Sequence, residues 1–248
     1  MGLIGISGKL GSGKDTVGQI IQFLTAEDVG PECIKRIRGG LSIEGHHNST
    51  FQNKKFAGKL KAVGSLLTSI PVEKFEDQDF KKTDLPNEWC YIENGYAAKN
   101  MTVREFLQKL GTDAMRNGLH TNVWINALYA DYTPEIKPGG FERVLKDLNG
   151  LPYGHEYEVM FPDWILTDMR FPNELESVKE RNGITIRVNR PHGYTNPHTG
   201  EYKEVPLDYH PSETALDDAE FDYVIENTGS IQDLIEEVRR ILLTEKII

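Results

Sequence analysis

The run Gly8-Lys9-Leu10-Gly11-Ser12-Gly13-Lys14-Asp15-Thr16 sets two glycines five apart, with a lysine directly behind the second. Glycines there leave room for backbone N–H groups to point at phosphate oxygens. A helix opening behind them adds positive potential, and a lysine neutralises charge on the β and γ phosphates. The run follows a short apolar stretch and precedes an amphipathic one, the context that distinguishes a phosphate loop from a chance glycine cluster. Gly11, Ser12, Gly13, Lys14, Asp15 and Thr16 are therefore the expected contacts of a nucleoside triphosphate. Asp15 stands where a Ser or Thr usually ligates Mg²⁺. It either holds that ion, directly or through water, or only favours the positive helix start.

A second cluster is Asp168-Met169-Arg170-Phe171-Pro172-Asn173-Glu174, at the carboxyl end of a strand-like run. In open α/β sheets ligands bind at that edge. Asp168 can orient the waters of Mg²⁺ or accept a proton, and the planar fork of Arg170 can grip a phosphate. Glu174 either fixes Arg170 or completes the shell of the ion. The competing reading is a surface salt bridge at a helix start.

Those side chains need a scaffold, and the hydrophobic periods describe one. Leu3 to Ser7 reads as a buried parallel strand, and Lys14 to Leu24 as a helix with Val17, Ile20, Ile21 and Leu24 inward. Phe51 to Phe56 suggests a second strand. Gly58 to Ser69 suggests a helix burying Leu60, Val63, Leu66 and Leu67. Thr102 and Glu105 have capping-box spacing, ahead of a helix burying Val103, Phe106, Leu107, Leu110 and Ala114. Arg104 and Gln108 share a neighbouring stripe with Gly111. A further helix is expected around 122–132. Trp164 to Thr167, Ile184 to Val188 and Tyr223 to Ile225 read as strands, and Ser230 caps a last helix. The alternation implies an α/β fold, a parallel sheet covered on both faces. One P-loop domain over 1–248 is expected, with irregular insertions at 71–100 (a substrate lobe), 134–162 and 190–216 (a lid). Residues 28–50 read as a loop.

Composition narrows the classes. With 38 acidic and 28 basic residues the net charge is −10, which disfavours loose binding to nucleic acid. No stretch approaches the ~20 apolar residues of a membrane helix. The apolar run at Gly2 to Ile6 is too short for a secretory signal core, so a cytoplasmic protein is expected. Cys33 and Cys90 build neither a disulfide framework nor a zinc site. His46, His47, His192 and His198 lack ligand partners at useful spacing.

With these runs in view, the chain resembles the deoxynucleoside monophosphate kinases encoded by bacteriophages. The likeness rests on Ile6 to Thr16, Phe56-Ala57 with Leu60-Lys61, Thr102 to Gln108 with Gly111-Thr112, and Thr167 to Glu174. Arg187 to Pro191, His210 to Leu216 and Phe221 to Ile225 with Asn227 and Gly229 extend it. It implies a P-loop fold and transfer of the γ-phosphoryl of ATP to a deoxynucleoside monophosphate, in the host-cell cytoplasm. Lys14 and the loop amides would hold the donor, and Asp15 and Asp168 would manage Mg²⁺. Arg170, with Lys61, Arg104, Gln108 and Arg116, would hold the acceptor. Arg187 and Arg190 flank the expected lid, and Asn227 lies in a turn like the one that faces adenine in related kinases. Arg187 can equally be the polar face of a strand. Small-molecule substrates, no nucleic acid or membrane partner, and a monomer or homodimer complete the expectation. A kinase resembling dephospho-coenzyme A kinase and a non-catalytic nucleotide switch are the rival readings.

Overall fold

Leu3–Ser7 forms strand β1, buried along its whole length, because its run of Leu and Ile packs on both faces, as a central parallel strand requires. The structure is a computed structural model, and it describes residues 2–26, 49–92, 98–137, 139–191, 193–195, 202–204 and 214–248. The expected loop at 28–50, with His46 and His47, lies almost wholly outside the described residues.

Helix α1 (Lys14–Leu24) follows β1. The chain then returns as β2 (Gln52–Lys54), shorter than the expected strand at 51–56. After the intervening segments come β9 (Trp164–Met169), helix α5 (Pro172–Lys179), β10 (Ile184–Asn189), β13 (Tyr223–Glu226) and α6 (Ile231–Thr244). The five strands form one parallel sheet in the order β13-β10-β1-β9-β2. Ile4, Ile6, Ile165 and Ile186 meet Val17, Ile20 and Ile21 of α1 and Leu234, Ile235 and Val238 of α6 in the main core. Gly5 turns to the other face, where an added Cβ would stand 3.0 Å from Val178 of α5. The doubly covered parallel sheet is the α/β architecture expected.

The chain divides into two compact units, residues 1–54 with 132–248, and residues 55–131. The second is helical: α2 (Phe56–Thr68), α3 (Val103–Gln108) and α4 (Val123–Tyr129), with short turns and a two-stranded ribbon of β3 (Tyr91–Ile92) and β4 (Ala98–Lys99). Its core is Phe75, Leu85, Val103 and Phe106, with Phe80 and Trp89 against it, so the described residues of 71–92 pack within this unit.

Several expectations need correction. In α2 the buried positions are Phe56, Lys61 and Gly64, whereas Leu66 and Leu67 are exposed. Gly64 is the contact point because it lets Phe75, Phe106 and Leu107 approach the helix axis. The helix at 103–114 is α-helical only to Gln108, and Lys109–Asn117 is a π-helix. The wider turn rotates later residues, so Ala114 is exposed and Gly111 buried. Residues 134–162 form antiparallel ribbons: β5 (Glu135–Ile136) with β8 (Val159–Met160), and β6 (Glu142–Lys146) with β7 (Pro152–Tyr157). In the stretch expected to be an irregular lid, β11 (Gly193–Thr195) pairs with β12 (Tyr202–Glu204). Residues 192, 196–201 and 205–213 lie outside the described set. Among the described residues no helix is long and apolar enough to cross a membrane.

Candidate active site

β1 lies between β10 and β9, and the chain leaves it toward the β2 edge and later crosses to β10. Such a switch of direction opens a crevice at the carboxyl ends of the strands, and residues 8–13 emerge there. The loop turns on Gly11 (φ 77°) and Gly13 (φ 98°), conformations that glycine adopts without strain. Space matters as much: a Cβ on Gly8 would stand 2.6 Å from the Val188 carbonyl, and one on Gly13 2.6 Å from Asn227 Nδ2. The Ser12 amide donates to the Lys9 carbonyl at 3.1 Å. Lys14 is nearly buried, and its Nζ donates back to the same carbonyl at 3.2 Å. The ammonium is thus folded over the concave face of the loop. The Ser12 hydroxyl is buried without a hydrogen-bond partner among the described residues.

Helix α1 is set against β9 by another close approach, since a Cβ on Gly18 would stand 2.7 Å from Thr167 Cγ2. One turn earlier, Asp15 Oδ1 accepts from the Thr167 hydroxyl at 2.9 Å, and Asn53 Oδ1 takes a weaker share at 3.4 Å. The β1–β9 register shifts between Gly5 and Ser7, where β9 carries one residue more. That irregularity falls at Thr167 and Asp168, and such bulges re-aim side chains beside sites. Asp15, Asn53, Thr167 and Asp168 therefore gather at one sheet end.

Glu174 is buried, and its Oε2 accepts the backbone N–H of Arg170 at 2.8 Å and of Phe171 at 3.2 Å. It thereby shapes the turn that carries Arg170 and satisfies open amides at the start of α5. Arg187 on β10 donates to Ser7 Oγ at 3.1 Å and to Asp217 Oδ1 at 2.8 Å, and lies 5.8 Å from the Phe221 ring centre. Lys9 reaches the other oxygen of Asp217 at 3.1 Å. Arg190 is exposed just beyond β10.

Asn227 joins two strand ends, its N–H donating to the Asn189 carbonyl and its Nδ2 to the Ser12 carbonyl, each at 2.8 Å. Beside it lies a cleft of about 320 Å³ lined by Ile225, Glu226, Asn227, Gly229, Ser230 and Asp233. Ser230 and Asp233 are committed to each other as the cap of α6, which gives the cleft a rigid wall.

The remaining candidates belong to the helical unit. Lys61 is buried and bonds Glu76 at 2.5 Å. Burial alone would raise the Glu76 carboxyl, but the Lys61 hydrogen bond and charge outweigh it, with Lys55 and Lys81 behind, and hold it below the ordinary value. Arg104 donates to Gln78 at 3.2 Å. Gln108 closes α3, and Arg116 lies in the π-helix. The Trp124 indole N–H donates to the Gly111 carbonyl at 2.9 Å and ties that segment to α4.

The grouping sorts the candidates. The loop, Asp168, Arg170, Glu174, Arg187, Arg190 and Asn227 fall in one compact unit, and Lys61, Arg104, Gln108 and Arg116 in the other. Sequence reasoning passed over Thr167, Asn53 and Asp217. Thr167 had one signal, its place just before an acid at a strand end. The donors beside the loop are hard oxygens, two carboxylates and a hydroxyl. That set suits Mg²⁺, which takes one or two carboxylates and fills its shell with water and phosphate.

The sequence profile of the deoxynucleotide monophosphate kinase family matches residues 62–238. A protein of Acanthamoeba polyphaga mimivirus, provisionally assigned as a deoxynucleotide monophosphate kinase, is 24% identical over 248 residues. That alignment covers 96% of this chain and 94% of the mimivirus protein. The deoxynucleotide monophosphate kinase of Enterobacteria phage T4 is 25% identical over 141 residues, 57% of this chain and 45% of the phage protein.

Proposed function

The chain belongs to the deoxynucleotide monophosphate kinase family, and from that premise we propose that it transfers the γ-phosphoryl of ATP to a deoxynucleoside monophosphate, releasing ADP and the diphosphate. The observation that carries the donor half is the loop itself. Gly11 and Gly13 hold left-handed backbone, and Lys14 stands folded over the concavity with its Nζ on a carbonyl. A triphosphate entering there offers Lys14 anionic oxygens stronger than the Lys9 carbonyl, and offers the loop amides and the Ser12 hydroxyl acceptors. The cleft beside Asn227 takes the base, and the Asn227 amide braces the loop from behind.

In the reaction an oxygen of the acceptor phosphate attacks Pγ, the bond from Pγ to the β,γ-bridging oxygen breaks, and the electron pair leaves with ADP. A loose transition state of this kind asks the protein for position and charge rather than covalent help. Lys14 stabilises the charge gathering on the β and γ oxygens. Arg170, held by the amide bonds of its turn to Glu174, grips the acceptor phosphate. Asp15 and Asp168 would hold Mg²⁺, which would supply positive charge against the donor phosphates; Thr167 fixes the carboxylate of Asp15. Arg187 supports the loop through Ser7 and Asp217, and Arg190, exposed just beyond β10, is a further basic candidate for the donor. In the helical unit, Lys61, Arg104, Gln108 and Arg116 are the candidates that the family resemblance offers for the acceptor.

The test is a coupled assay of ADP release over the four deoxynucleoside monophosphates, their ribo counterparts and dephospho-coenzyme A. Turnover with at least one deoxynucleotide and none with dephospho-coenzyme A is expected. The reverse pattern, or ATP binding without any turnover, would overturn the assignment.

A further inference from the structure

The phosphate loop carries two lysines, and their side chains leave it in different directions. Lys14 folds over the concave face, its Nζ on the Lys9 carbonyl at 3.2 Å. Lys9 turns aside, and its Nζ meets a carboxylate, Asp217 Oδ2, at 3.1 Å. The other oxygen of Asp217 accepts from Arg187 at 2.8 Å. One carboxylate therefore spans a lysine of the loop and an arginine of β10, and all three residues fall in the same compact unit.

Neither the turn that carries Asp217 nor Arg187 depends on this carboxylate for its place. The turn at 214–219 is anchored by Leu216, which is 2% exposed, and by backbone bonds from Asp217 to Thr214 and from Ala219 to Leu216. Arg187 also donates to the Ser7 hydroxyl at 3.1 Å and weakly to Asn189 at 3.4 Å, and it lies against the Phe221 ring. Lys9 and Asp217 are each about one-third exposed, and an ion pair so open to water adds little to stability. What remains for the carboxylate is its hold on Lys9.

On the reading of residues 8–16 as the donor site, we propose that Asp217 is a positioning residue that keeps Lys9 off the donor phosphates and so holds nucleotide affinity down. The loop then meets the triphosphate with one ammonium fewer, because phosphate oxygens must first break a charge-assisted bond to win Lys9. The carboxylate also sets a negative charge one lysine side chain away from the loop, where it opposes a polyanion. Both effects loosen the grip on ADP, and release of product limits turnover in many enzymes.

Asp217→Asn separates the two bonds. Its amide oxygen still accepts from Arg187, while its NH₂ turns donors toward the Lys9 ammonium and frees it. Calorimetric titration of the full chain with ADP and with a non-hydrolysable ATP analogue should show both bound ~3- to 10-fold tighter, the scale of one partly exposed charge interaction gained and one repulsion lost. The gain should appear in a slower ADP dissociation rate. Lys9→Met should cost the Asp217→Asn chain more affinity than it costs the wild type, the coupling that a double-mutant cycle isolates. A carboxylate that only braced its turn would give the opposite sign, with weaker nucleotide binding and a lower melting temperature. Unchanged or weaker affinity in Asp217→Asn, or an equal cost of Lys9→Met in both backgrounds, would overturn this proposal alone. A wild-type chain that binds neither nucleotide would overturn the donor reading and the proposal with it.

Discussion

Lys14 Nζ donates to a backbone carbonyl 3.2 Å away, a neutral acceptor that triphosphate oxygens would outcompete. Lys14→Ala is expected to lower kcat by at least ~100-fold, the usual worth of a charge clamp on a developing anion, with the thermal melt near wild type. Near-normal turnover would remove the phosphate loop from the mechanism. Asp168 and Arg170 should separate kinetically. Asp168→Asn should lower kcat and shift the Mg²⁺ dependence, whereas Arg170→Ala should raise the KM for the monophosphate as well. If both change only the melting temperature, they are structural ion-pair residues. Thr167→Val keeps the buried volume but removes the hydroxyl that donates to Asp15, and ~10- to 100-fold weaker Mg²⁺ activation is expected. Unchanged Mg²⁺ titrations would mean that Asp15 serves the helix start alone. The loop was readable because its glycines, lysine and flanking runs are neighbours in sequence. The Thr167–Asp15 bond was not, since it joins residues 152 apart and nothing local marks either as the other's partner.

At the scale of elements, local codes read well and tertiary choices read poorly. The Thr102–Glu105 capping box forms as its spacing predicts, because every group involved lies within four residues. The stripe of α2 did not follow hydrophobicity, because a glycine rather than a leucine meets Phe75 and Phe106. The π-helical segment that turns Ala114 outward is tied to α4 by the Trp124 bond to Gly111, a contact no periodicity encodes. The same unit carries a pH signature. The Glu76 carboxyl is held below its ordinary value by Lys61, so its stabilising effect is complete above the ordinary glutamate range and is lost as pH falls through the lowered value. Glu76→Gln should therefore melt below wild type at neutral pH, and the gap should close in acid. A gap that stays constant with pH would assign the loss to packing alone.

For the molecule as a whole, the division into two compact units makes a separable prediction. Hydrogen exchange with an ATP analogue and Mg²⁺ should slow residues 8–16 and 223–230, while a deoxynucleoside monophosphate should slow the segment from Lys61 to Arg116. Protection by the monophosphate confined to residues 1–54 and 132–248 would move the acceptor contacts to Arg170 and its neighbours. The α/β class followed from alternating strands and helices. The order of the strands did not, because β1 pairs with β9 and β10, whose run lengths and composition do not say which edge they take. The ribbon at 135–160 escaped notice for a related reason: its strands bury almost nothing, so they lack the alternation that marks a half-buried sheet.

The sheet order also bears on how the protein is made. Long-range braces of the phosphate loop and its flanks come from late in the chain: Thr167, Arg187 and, 215 residues after Ser12, Asn227. A ribosome working at ~5–20 residues per second needs roughly 10–40 seconds to travel that far. Until β9 (Trp164–Met169) has been made, β1 has neither of its neighbours, and its five apolar or small residues have no sheet to enter. The nascent chain therefore carries the first strand of its nucleotide site as an unpaired hydrophobic segment, a natural client for chaperones. The Asn227 bond to the loop can form only once β13, the last of the five strands, has been made.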